Sequence, residues 1–217
     1  MTSYIERKKT HRDSKLHALL MVGPLPGSRD DNMFGLVSPT LDAMRIKTSY
    51  HEDFSAAVVF TTIVKPTVDE PSRSVVVKWM EIDISGASIG NTRNRDYVYL
   101  KSTGIMKLKN GDRVGYHLFH SVNFSQTHEL RHRIRGNMSF WGLFHQEGSD
   151  RTDCRGTGFM DPKGDMIRTV AVIGMIQATM AGLKTSYCGE MKKLAWLFRQ
   201  KRGESSDRIG PITAYYV

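Results

Sequence analysis

The feature that most restricts this chain is a run near its C-terminus in which Met166, Val170, Ile173, Ile176, Met180, Leu183, Tyr187, Met191, Leu194 and Phe198 recur every three or four residues. That spacing is one face of an amphipathic helix. At about 1.5 Å of rise per residue the run reaches roughly 50 Å, against a typical helix of about 11 residues. A helix so long and so one-sided needs a broad apolar partner, and the residues before it read as strands. Its uncharged window between Arg168 and Lys184 is 15 residues and holds Thr169, Gln177 and Thr179, whereas a bilayer crossing takes about 20 mostly apolar residues. The run is therefore read as a helix laid on a sheet, not a membrane span. No secretory signal is expected either, because the basic stretch Met1 to Arg12 leads only into Leu16 to Val22 before Gly23-Pro24.

The preceding segments carry the strand signals. Tyr4 to Val22 reads as two short strands around a polar turn at His11 to Lys15, ended by Pro24, Pro26 and Gly27. Ser28 caps an expected helix over Arg29 to Val37, and Ser38-Pro39 opens a second before Leu41, Met44 and Ile46. Ala56 to Val64, Val75 to Ile84 and Tyr97 to Met106 are rich in β-branched or aromatic residues, with Pro66 and Pro71 in the first gap. Asn110-Gly111 is a hairpin signal because both residues tolerate positive φ, and it leads into Arg113 to Val122. Arg131 to Gln146 and Thr152 to Met160 complete the set. The expected class is α+β: a curved antiparallel sheet wrapped around a long C-terminal helix, with two short helices after the first strands.

With 217 residues and 40% hydrophobic content the chain suits one domain. The expected domain covers 1–202, with its C-terminal helix over about 164–200 and a tail at 203–217. Two cysteines, Cys154 and Cys188, supply neither a disulfide framework nor a structural zinc site, and an intracellular setting, cytoplasmic or peripheral at membranes, is expected. The net charge of +9 collects at Arg7 to Arg12, Arg131 to Arg135 and Lys192 to Arg202, which suits an anionic partner or a solvated surface. A nucleic-acid partner is not expected, since the aromatics near Arg133 and Arg135, Phe140 and Trp141, alternate as in a packed strand.

Three groups of residues, Arg95-Asp96-Tyr97-Val98, Ile134-Arg135-Gly136 and Asp161-Pro162-Lys163-Gly164, lead in order into the last helix. In this arrangement the chain resembles the START domain of lipid-transfer proteins, a helix-grip fold. Leu36 to Tyr50, Asp96 to Gly104, Gly111 to Val122 and Met191 to Trp196 extend the resemblance toward the START-like domains of oomycete FYVE-finger proteins, here without the finger and without a first helix. The resemblance implies a lipid-type ligand held, not altered, in a tunnel between sheet and helix: no enzyme and no cofactor. Twelve methionines supply adaptable apolar surface for such a ligand or for a plain core.

The residues expected to meet the ligand are Trp79, Glu81, Tyr97, Tyr116, Arg135, Phe140, Ile173, Gln177 and Met180. Arg131, Arg133 and Arg135 alternate with Ile134, so Arg135 points outward as part of a basic stripe or inward as an anchor with Glu81 or Asp83 as its partner. Asp96 beside Arg95 suggests a local ion pair. Gly86-x-Ser88-x-Gly90 matches the nucleophile-elbow pattern but leads into another strand, which argues against a hydrolase. His117, His120 and His145 lack metal-ligand spacing. The competing reading is a docking module with a filled tunnel that meets an anionic membrane or a protein through its basic patches.

Overall fold

The structure, a computed structural model, describes residues 2–5, 17–48, 54–82, 93–164, 168–181 and 184–205. Nine strands lie among them: β1 (Thr2–Ile5), β2 (His17–Pro26), β3 (Phe54–Val64), β4 (Ser74–Ile82), β5 (Asn94–Lys107), β6 (Arg113–Ser121), β7 (Arg133–Arg135), β8 (Asn137–Glu147) and β9 (Arg151–Asp161). The helices are α1 (Arg29–Leu36), α2 (Leu41–Thr48), α3 (Arg168–Ala181) and α4 (Thr185–Ser205). The strands form one sheet in the order β1-β2-β9-β8-β6-β5-β4-β3, antiparallel throughout, and β7 adds a short parallel pairing to β5. This is the expected α+β arrangement.

Directly opposed residues of an antiparallel ladder point to the same side. Lys101, Phe119, Phe140, Gly158 and Leu19 therefore share one transverse row, and Thr103, His117, Gly142, Gly156 and Met21 the next. This side faces the helices. Leu19 and Met21 pack with Met175 and Ile176 of α3, while Leu25, Phe144 and Cys154 pack with Met33 and Leu36 of α1. Residues of the opposite parity form the outer face.

Local chemistry places the elements. Ser28 caps α1, its hydroxyl accepting from the Asp31 N–H at 3.1 Å. The cap of α2 is Thr40, whose Oγ1 accepts from the Ala43 N–H at 3.2 Å, and not Ser38, whose hydroxyl is taken by a buried lysine. The Asn110-Gly111 turn forms, with Gly111 at φ +89° and the Leu108 N–H on the Asp112 carbonyl at 2.8 Å. Strand β2 runs on through Pro24 and Pro26, and among the described residues β1 pairs with residues 19–22, short of both prolines, so that ladder asks neither for an N–H.

Two expectations change. The stretch expected as one strand over 131–146 is divided at Gly136, where a Cβ would stand 2.5 Å from the Tyr97 ring, and the chain turns at His132, φ +67°. The helix expected over about 164–200 is two helices with different partners. α3 packs on the sheet, while α4 lies along α1 at nearly backbone contact: a Cβ on Gly35 would stand 1.7 Å from the Thr185 carbonyl oxygen, and one on Gly189 2.6 Å from that of Asp31. Periodicity reports which face of a helix is apolar; it does not report which element that face meets. No described helix is long and apolar enough to cross a membrane.

Candidate functional site

The side of the sheet that faces α3 is lined by aromatic and thioether side chains. Phe119 and Phe140 stack with centroids 5.2 Å apart and planes at 19°. His117 lies 5.5 Å from Phe119 and 5.6 Å from Phe140, and Tyr99 meets Phe119 edge-on at 5.9 Å. Room for the Phe140 ring comes from glycines: a Cβ on Gly156 or Gly158 would approach it to 3.1 Å. Met80 and Met138 pack beside Tyr97 and Tyr99, and Met160 and Met175 beside Leu19 and Met21. Burial pushes the phenols of Tyr97 and Tyr99 above their ordinary range, so both stay neutral donors at pH 7. Such a lining can shield apolar ligand surface from water and offer a few oriented polar groups.

Around the C-terminal end of α1 three buried ammonium groups converge. Lys78 Nζ donates to the Ser38 carbonyl at 2.6 Å and to its hydroxyl at 2.7 Å. Lys101 Nζ donates to the Leu36 carbonyl at 2.7 Å. Lys192 Nζ, from α4, donates to the carbonyls of Phe34 at 2.8 Å, Gly35 at 2.9 Å and Val37. The last carbonyls of a helix lack intrahelical partners and carry its negative dipole end, so cations satisfy both needs. Lys192, expected in a surface cluster with Arg202, is buried instead. Lys78 and Lys101 had no place among the expected site residues, although a lysine within the apolar run Val75 to Trp79 is itself a signal, since a charge in a buried strand must find acceptors.

Asn32, fully buried, joins the same corner. Its amide nitrogen donates to the Pro26 carbonyl at 2.9 Å and the Ser28 carbonyl at 3.0 Å, and its oxygen accepts from the Thr185 hydroxyl. Lys193 pairs with Asp31; these contacts with Lys193 and Ser28 hold the Asp31 carboxyl below its usual range.

The remaining expected residues separate. Trp79, Glu81 and Arg135 stand on the outer face, away from α3, because Trp79 opposes Val98, Glu81 opposes Asp96, and Arg135 reaches Asp96 from β7. There Arg135 pairs with Asp96 at 2.7 Å, with relative exposures of 7% and 0%, and Trp79 Nε1 donates to the same carboxylate at 2.8 Å. Glu81 pairs with Arg133 at 2.8 Å and accepts from Asn94 at 3.0 Å. Burial by itself pushes the Glu81 pKa up, but Arg133 and Asn94 outweigh that and keep the carboxyl below its usual range. The expected partners are thus corrected: Arg135 takes Asp96, not Glu81, and Arg95 turns to the carbonyls of Arg93, Pro162 and Lys163. This outer cluster fastens the segment before β8; it does not line the space under α3.

Tyr116, also of outer-face parity, lines a separate cleft of about 610 Å³ with Phe34, Ser72, Arg73, Ile105 and Arg113. Tyr97 and Phe140 lie on the helix-facing side of the sheet, and Ile173 on α3 is 49% exposed. The side chains of Gln177 and Met180, the Arg7 to Arg12 cluster, Asp83 and Gly86-x-Ser88-x-Gly90 lie outside the described residues. Among the described residues no cluster of His, Cys, Asp and Glu is placed to hold a metal ion.

Solved structures share this architecture. Human STARD10 superposes with a TM-score of 0.62 at 14% identity, covering 94% of this chain and 78% of that one. The fold is that of START domains. The STAR-related lipid transfer protein from Xanthomonas axonopodis matches with a TM-score of 0.60 at 15% identity, over 88% of this chain and 92% of its own. The lipid transfer and protein localization domain of human StarD13 gives 0.59 at 16% identity, over 86% and 84%. No protein-family model and no curated protein matches the START-like chain by sequence.

Proposed function

We propose that this START-like chain binds one hydrophobic, lipid-type ligand, a sterol, phospholipid or acyl lipid, without altering it, for transfer or sensing. The ligand sits between α3 and the helix-facing side of the sheet, and Tyr97, Phe140, Ile173, Gln177 and Met180 take part in holding it. The observation that carries this reading is the lining itself, in which stacked Phe119 and Phe140 meet Met138, Met160 and Met175 around a glycine floor. Each buried CH₂ of a ligand contributes about 0.8 kcal/mol, so an acyl chain binds by burial alone and needs the tyrosine hydroxyls and His117 only for orientation. Support also comes from fold neighbours that are lipid transfer proteins by name. The segments from Leu36 to Trp196 suggest affinity with the START-like domains of oomycete FYVE-finger proteins.

Native mass spectrometry with organic extraction of the same sample tests the proposal. Close to one extractable lipid per chain is the expected result. A clean apo mass, together with refusal of fluorescent sterols and phospholipids, would sink it.

A second reading, docking on an anionic membrane, draws on the end of α4. There Trp196, Leu197 and Phe198 are 58, 51 and 58% exposed beside the exposed cations Lys193, Arg199 and Lys201. Aromatic side chains with cations on one helix suit the interface of an anionic bilayer. Binding to anionic vesicles that weakens as salt rises, and is lost in Trp196→Glu, is the expected outcome; salt-independent binding argues against it.

A further inference from the structure

We propose that the outer face of the sheet is a self-association surface on which two copies of this chain pack. Six large apolar side chains stand open there: Tyr4, Leu20, Leu118, Trp141, Leu143 and Phe159, at 57, 44, 40, 44, 36 and 42% exposure. The register makes them neighbours. Tyr4 opposes Leu20, Leu20 opposes Thr157, Thr157 opposes Trp141, and Trp141 opposes Leu118, giving one transverse row across β1, β2, β9, β8 and β6. Phe159 and Leu143 flank that row on opposite sides, since Phe159 pairs with Ser139 and Leu143 with Arg155. Helices α1 and α3 cover the other side of the sheet.

Size and charge choose the occupant. With large side chains of roughly 150–250 Å², this group leaves on the order of 500 Å² of apolar surface open. That is the upper range of what a monomer exposes, about 300–600 Å², and much of the roughly 800 Å² each partner contributes to a stable pair. Among the described residues its rim carries ion pairs of both signs, Asp153 with Arg155 at 3.0 Å and Glu147 with Arg151 at 3.0 Å. An anionic bilayer draws on net positive charge, which the end of α4 offers, whereas the described ion pairs of this face cancel. A second copy finds an apolar centre against its own and, among the described residues, paired charges at the edge, although the chain as a whole carries +9. Two sheets packed face to face, about 10 Å apart and near −30°, give a closed two-fold pair.

Sedimentation velocity of the full chain, from low to high micromolar protein, tests this with two variants and a control. The wild type is expected to reach the mass of a pair. Trp141→Glu, and independently Leu118→Lys, should raise the dissociation constant about thirtyfold or more while leaving far-ultraviolet circular dichroism and the melting temperature near wild type. Trp196→Glu should leave the pair intact. A wild type that stays monomeric overturns the proposal. So does a pair that both outer-face variants leave undisturbed, or one that Trp196→Glu dissolves instead.

Discussion

Asp96 shows how much a single side chain can decide in this sheet. It accepts from Arg135 and from Trp79 with no exposure of its own, so Asp96→Ala leaves a buried guanidinium without its carboxylate. A loss of about 3–5 kcal/mol is expected, seen as a fall of roughly 6–20 °C in melting temperature, and replacing Arg135 by Met in the same chain should restore most of it. The sequence suggested Arg95 as the partner, and physical reasoning alone rules that out: adjacent residues of a strand point to opposite faces. What sequence could not supply is that β7, from 39 residues away, lies parallel to β5 and brings Arg135 to the spot. Asp31 gives a prediction in pH. Its folded-state value is lowered, chiefly by Lys193 and Ser28, so its stabilising contribution is present above the unfolded value of about 3.9 and is lost as pH falls through the lowered one. Acid titrations of wild type and Asp31→Asn should diverge above about pH 4 and converge below it.

At the scale of elements, α1 and α4 meet at nearly backbone contact through Gly35 and Gly189. Gly35→Ala places a methyl where the Thr185 carbonyl already stands, and a cost near the top of the overpacking range, about 3 kcal/mol, is expected, or about 6–12 °C in a melt. Gly174→Ala is the matched control, because a Cβ there meets nothing within 4 Å; a helix interior gains slightly from the change. The strands were legible because alternation and turn residues are local signals, and β4, β5, β6 and β9 begin and end within about three residues of expectation. That α3 and α4 meet different partners was not legible. The two share one heptad-like pattern, yet Met175 serves the sheet while Gly189 and Lys192 serve α1, and only the partner distinguishes them. Hydrogen exchange should therefore be slower over 185–192, fastened by Asn32 and Lys192, than over 170–176, held by apolar packing.

For the molecule as a whole, the sequence pattern and the fold agree because a long apolar helix face and a run of β-rich segments have few ways to satisfy each other. The helix-facing side of the sheet was half legible. Tyr97 and Phe140 belong to strand segments visible in the sequence, whereas the places of the lysines under α1 and of the aromatic neighbours of His117 depend on which rows of the sheet face the helices, and that follows from register. Filling the interior should separate binding from folding: Met175→Trp is expected to reduce extractable lipid well below one per chain at an overpacking cost of about 1–3 kcal/mol, and unchanged lipid loading would place the ligand elsewhere. The two native thiols bear on how such motions and occupancies can be followed. Cys154 and Cys188 are 2 and 3% exposed, and burial pushes the Cys154 thiol up to about 12, where almost no nucleophilic thiolate exists at neutral pH. A cysteine introduced at exposed Ile173 would therefore carry a spin label or fluorophore almost alone, and the natural chain is already a clean background for watching α3 move.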